Sequence, residues 1–150
     1  AENVLGDSKS DAQLKEEAEY VMAKSYLAVS RRDEALLLLR KLAENMKSEY
    51  GAEAACILIQ DSYDKGDFDD VEKKVYAFSD SGSGQTYWLA KSFIVLGDAF
   101  VDRGEFSQAK ATFESVRDGY VPESDTDDVI DGVKIRLDKL EEMIAAQNNQ

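Results

Sequence analysis

Residues 87–122 read YWLAKSFIVLGDAFVDRGEFSQAKATFESVRDGYVP. Leu96-Gly97 and Phe100 share a helical face, Gly104 interrupts the pattern, and a second helical pattern opens at Phe106-Ser107. Ala109, Phe113 and Val116 then recur at i, i+4 and i+7, one apolar face at 3.6 residues per turn. Gly104 stands where a tight turn between helices requires positive φ. The segment is read as helix, short turn, helix.

The unit occurs twice more upstream. One block carries Met22-Ala23, Tyr26, Asp33, Ala35, Leu39 and Leu42; the next carries Leu58-Ile59, Tyr63, Gly66, Phe68, Asp69, Val71, Val75 and Phe78. The register is tight: Ala23 precedes Ala35 by the same offset as Ile59 precedes Val71 and Gly97 precedes Ala109. Compact residues at such a pair let two antiparallel helices approach closely. Asp33, Asp69 and Ser107 each stand two residues before the second member and are expected to be N-caps. Helices are predicted near 11–30, 33–48, 52–65, 69–80, 85–103, 107–120 and 127–146. Ser10 with Gln13 reads as a capping box opening the first. Ser81-Gly82-Ser83-Gly84 reads as the loop between the second and third hairpins. Val133, Leu137, Leu140 and Ile144 form one stripe, expected to close the apolar edge of the third hairpin. A hairpin cannot bury both of its faces alone, so neighbours must stack. The predicted organisation is a single all-α array with hairpins at about 11–48, 52–80 and 85–120 and a capping helix at about 127–146.

Composition narrows the function. The chain has 150 residues, 43% hydrophobic and 33% charged, enough apolar residues for a core. Its 18 basic and 31 acidic side chains give a net charge of −13. That sign repels a phosphate backbone and an anionic membrane surface. It fits either a plain solvated surface or a basic partner. No apolar run approaches membrane-spanning length and no signal-peptide pattern occurs, so neither nucleic acid nor membrane insertion is expected. Histidine is absent, which removes the commonest general base and transition-metal ligand. Cys56 is the only cysteine, so it forms no intramolecular disulfide and has no histidine to activate it. Val4-Leu5 before Gly6 reads as the last turn of a helix whose partner lies upstream. The chain is therefore read as a piece of a larger protein, with a sticky N-terminal edge expected to form a homodimer.

Other constellations fail on chemistry. Asp61, Gly66 and Glu72 mimic the ends and centre of a calcium loop, but Tyr63 and Lys65 occupy positions that need oxygen ligands. Asp125, Asp127, Asp128 and Asp131 are expected to cap the last helix and complement its dipole. Gly82-Ser83-Gly84 lacks the Lys-Ser/Thr of a phosphate loop. Trp88 is expected between hairpins. No metal or cofactor is expected. A carboxylate-based hydrolase is the distant alternative.

Trp88, Leu96-Gly97, Phe100, Gly104, Phe106, Ala109, Phe113 and Pro122, taken together, resemble the tetratricopeptide repeat pattern. The first block matches through Ala23, Tyr26 and Ala35, and the second departs at Ile59 and Val71. The stretches 48–54 and 87–93 are similar to the C-terminal part of long bacterial tetratricopeptide proteins, many from the Bacteroidetes. The resemblance covers about 11–145. It implies a right-handed α-solenoid with a protein-binding or scaffolding role, often at the cell envelope or periplasm, and no catalysis.

In that family the first helix of each hairpin lines the concave face. Carried over by alignment, the face would comprise Glu17, Tyr20, Lys24 and Leu27 in the first hairpin. In the second it would comprise Glu53, Cys56, Gln60, Tyr63 and Asp64, and in the third Lys91, Ile94, Asp98, Val101 and Asp102. The resemblance thus implies a protein or peptide partner, an apolar segment with Lys or Arg flanks. Lys24 and Lys91 fit a carboxylate clamp, but Tyr20, Ile57 and Val95 do not, so C-terminal tail binding is not expected. The rival reading is a purely structural extension or cap of a longer solenoid.

Overall fold

Seven helices and no strand occupy the described residues, 2–149, of the computed structural model, with side chains described for 11–149. The helices are α1 (Glu2–Ala28), α2 (Arg32–Leu42), α3 (Glu49–Asp64), α4 (Phe68–Asp80), α5 (Thr86–Asp102), α6 (Phe106–Gly119) and α7 (Val129–Asn148). No helix among the described residues is long and apolar enough to cross a membrane.

The periodicity places these elements well, and the departures have local causes. Helix α1 runs unbroken through Gly6 and Ser10, so neither a helix end at Gly6 nor a capping box at Ser10 is found. The side chains of Val4 and Leu5, the expected sticky edge, lie outside the described residues. Helix α2 stops at Leu42 rather than near 48, because the chain turns over 43–48 to let α3 come in. A Cβ on Gly51 would lie 1.8 Å from the Asn45 carbonyl oxygen, so only glycine fits there. Ser48 caps α3, its Oγ accepting from the Gly51 amide at 3.0 Å. The 81–85 linker satisfies two carbonyls of the 43–48 turn: Ser83 Oγ donates to Met46 O at 2.7 Å and Gln85 Nε2 to Lys47 O at 3.2 Å.

The inter-helix turns are tighter than the N-cap reading assumed. Asp33, Asp69 and Ser107 lie inside the first turns, and the caps are Arg31, Asp67 and Glu105. Of these only Asp67 makes a side-chain cap, accepting from the Asp70 amide. Each cap follows a left-handed residue: Gly66 (φ 75°) and Gly104 (φ 77°), as the turn requires, and Ser30 (φ 63°) in the first block. Ser30 is the one non-glycine left-handed residue among the described residues.

Each helix packs on its chain neighbours, and α1, α3, α5 and α7 also contact one another in sequence, whereas α2, α4 and α6 do not touch each other. Burial follows this connectivity. One apolar cluster joins Ala23, Leu36, Leu39 and Leu42 to Ala54 and Leu58 of α3. The other joins Ala52, Ala55 and Ile59 of α3 to Val71, Val75, Phe78, Leu96, Phe100, Ala109, Phe113 and α7 residues Val129, Val133 and Leu140. The compact pairs of the repeat, Ala23 with Ala35, Ile59 with Val71 and Gly97 with Ala109, are all buried. A Cβ on Gly97 would sit 2.3 Å from the ring of the buried Phe113. Helix α7 lays Val133, Leu137, Leu140 and Ile144 on the second cluster and turns charged residues outward.

Leu14, Val21 and Met22 stay 62%, 55% and 49% exposed on α1. Their register equivalents in α5, Trp88, Val95 and Leu96, are packed against or within the second cluster.

Ser30→Gly relieves a left-handed serine and should stabilise by about 1 kcal/mol, raising the thermal midpoint by roughly 2–4 °C in a calorimetric scan. Gly97→Ala, normally favourable in a helix, should instead destabilise by about 1–3 kcal/mol because it overpacks Phe113, and Ala109→Leu should do the same. An unchanged melt for either would place the α5–α6 contact elsewhere.

Candidate functional site

The residues expected on a common face lie on α1, α3 and α5, three members of the contiguous row α1, α3, α5 and α7. Many are spent on joining one helix of the row to the next. Lys24 Nζ lies 3.7 Å from Glu53 Oε2 and 5.8 Å from the Tyr20 ring centroid, and Tyr20 packs on Tyr50 at 4.6 Å. The Tyr63 hydroxyl donates to Asp102 Oδ2 at 2.7 Å, bridging α3 and α5. Arg136 of α7 grips both oxygens of Asp98, at 2.9 and 3.2 Å. Lys91 and Tyr87 both donate to Asp128 at 3.0 Å.

Two expected face residues have almost no surface: Cys56 is 9% exposed and Ile94 6%. The resemblance placed them on an open face, but both are buried in the structure. Burial pushes the Cys56 thiol up, so it stays protonated at neutral pH. Gln60 donates to Asp64 at 2.9 Å, and both are exposed, as is Glu17. Leu27 and Val101 are half-buried. Burial and then the neighbouring Glu53 carboxylate push the Tyr20 phenol up to about 12. Burial and Asp102 push Tyr63 up in the same way. Desolvation raises the Asp98 carboxyl against the pull of Arg136.

The acidic positions weighed from sequence are committed elsewhere. Asp61, the first residue of the calcium-like spacing, pairs with Arg32 at 2.6 Å and Lys65 at 2.8 Å. Asp127 serves the start of α7, accepting from the Val129 amide at 3.0 Å and from the Glu123 amide and Tyr120 hydroxyl. Asp128 turns to Lys91 instead of capping.

A second region was not singled out as a site by the repeat. At the start of α5, Trp88 and Tyr87 meet edge to face at 4.9 Å and wall a cavity of about 300 Å³ with Glu49, Glu123 and Asp127. On the other side of the same turn lies an apolar groove of about 290 Å³, lined by Leu89, Phe93, Val116 and Tyr120. Trp88, expected to be buried between hairpins, is only half-buried and lines this cavity. Tyr87-Trp88 beside an acidic run after Pro122 was the available signal, but only tertiary packing brings α5 and the 120–128 segment together.

Comparison of the chain with protein-family models, with curated proteins and with solved structures finds no match.

Asp61 makes a pH prediction. Burial pushes its carboxyl up, but Lys65 and Arg32 outweigh burial and hold its pKa below the usual carboxylate value. The depressed folded pKa means the stabilisation is complete above the ordinary value of about 4 and is lost as pH falls through the folded value. Asp61→Asn should therefore lower the melting temperature at pH 7 and make no difference well below pH 3, measured by thermal scans across that range.

Proposed function

We propose that this chain is a tetratricopeptide-like stack of helical hairpins, a solenoid that holds a partner protein along its first-helix row and performs no catalysis. The single observation behind this reading is the contiguity of α1, α3, α5 and α7, with the even-numbered helices kept apart from one another. A row of helices in lateral contact offers a long wall, the geometry suited to an extended or helical segment. The shared register of the three blocks and the charged outer side of α7, which fits a closing helix, support the same architecture. The exposed polar atoms of Glu17, Gln60 and Asp64 are the part of the row left for a ligand, and their charge favours basic flanks on it.

A purely structural role, extending or capping a longer stack, is favoured by two observations. The Tyr63–Asp102, Asp98–Arg136 and Lys24–Glu53 contacts employ face residues as inter-helix fastenings. The exposed apolar row on α1 occupies positions that a preceding helix covers in the later blocks.

Selection of binders from a displayed random-peptide library separates the two. Binders that lose about tenfold or more in affinity to a Glu17→Lys, Gln60→Lys, Asp64→Lys variant, and none to Lys73→Glu on α4, support the row as the binding face. Failure to enrich any sequence, or binders indifferent to the row variant, would sink it.

A further inference from the structure

The notch at the first turn of α5 combines two surfaces that nothing in the repeat requires to be adjacent. The cavity against Trp88 contains Glu49, Glu123 and Asp127, and none of these three carboxylates has an ion-pair partner among the described residues. The nearby cation, Lys91, is taken by Asp128. Asp127 remains ionised: burial raises its carboxyl, but the Tyr120 hydroxyl and the amides of Glu123 and Val129 outweigh that and hold it low. An aromatic wall with unpaired carboxylates around it is the chemistry that receives a Lys or Arg side chain, by cation–π contact and charge pairing together.

The apolar groove is joined to this cavity through shared walls. Thr86, which lines the groove, donates to Glu123 of the cavity at 3.2 Å, and Tyr120 of the groove bonds Asp127 of the cavity. The two depressions are therefore neighbours, linked by the Thr86–Glu123 and Tyr120–Asp127 hydrogen bonds, and an extended peptide presents side chains to one face at every second residue, about 7 Å apart. Leu89, Phe93 and Val116 offer the groove's apolar lining.

We propose that this notch docks an extended peptide segment carrying a bulky apolar side chain two residues from a basic one, the first in the Leu89–Phe93–Val116 groove and the second against Trp88 among Glu49, Glu123 and Asp127. Charge complementarity selects this occupant: a cation compensates Glu49 and Glu123, which have no ion-pair partner among the described residues, beside the hydrogen-bonded Asp127, and the net charge of −13 steers basic partners toward the molecule. The inference rests on the reading of the chain as a protein-binding module, but it places contact at the first turn of α5 rather than along the first-helix row, so the two stand or fall on different residues.

Trp88 is the only tryptophan and reports directly on its own cavity. The peptide acetyl-Gly-Phe-Gly-Arg-Gly-amide, titrated into the full chain, should shift Trp88 emission saturably and lose affinity with added salt. Replacing its Arg by Glu, or its Phe by Ser, should weaken binding by about tenfold or more. The variant Glu49→Gln, Glu123→Gln should weaken it by a similar factor while retaining the parent melting curve, and Leu89→Ser should weaken the Phe peptide but not the Ser peptide. Glu17→Gln, on the row, should leave it unchanged. The proposal is overturned by an unresponsive Trp88 up to the peptide's solubility limit, by equal binding of the Glu peptide, or by self-association of the chain that the Glu49→Gln, Glu123→Gln variant abolishes, which would make a second copy the occupant.

Discussion

Helix α3 is buried on two sides, and the rest of the molecule is arranged around that constraint. Ala54 and Leu58 face the first two helices, while Ala52, Ala55 and Ile59 face the later ones. A helix clasped from both sides leaves little room for large side chains where its neighbours come closest, and the N-terminal half of α3 reads Gly-Ala-Glu-Ala-Ala-Cys. Close packing of this kind gives each buried methyl group many neighbours and tolerates little change in volume. The turn over 43–48 lies against Gly51 of α3, and the 81–85 linker in turn bonds to that turn.

Much of this was legible in the sequence because it is periodic. Compact pairs at constant offset located three turns and six helices, and the last stripe located α7. What escaped was non-periodic or depended on one residue's conformation. Ser30 gives no glycine signal, yet it adopts the same left-handed turn as Gly66 and Gly104, imposed by the helices on either side. The N-caps slipped by two residues because good capping types also serve in the first helical turn, where Asp33 and Asp69 complement the helix dipole. The early end of α2 was set by Gly51, a residue of the following helix. Local pattern holds no information about such a contact.

The candidate sites divide along the same line. The face residues carried over by resemblance fall on one row of helices, but their bonding could not be read from single blocks. Tyr63 and Asp102, or Asp98 and Arg136, lie about one repeat apart in the chain. Such partners sit on successive helices of the row, so polar side chains that look free in one block are consumed by the next. The notch at α5 is the converse case. Its aromatic and acidic members are scattered over α3, α5 and the 120–128 segment, and apart from Trp88 they lie outside the repeat pattern.

The division of the interior into two clusters, which meet at α3 and at Ala43 beside it, has a dynamic consequence. The smaller cluster ties α1 and α2 to α3 through a handful of apolar side chains, whereas the larger one runs continuously from α3 to α7. Detaching the first helix pair leaves the larger cluster whole, so the cheapest excursion from the native state is a peeling of that pair, not a collapse of the entire chain. Amide protons in α2 would then exchange with solvent sooner than those in the middle of α5, and a protease would find its first foothold near the Ser30 bend.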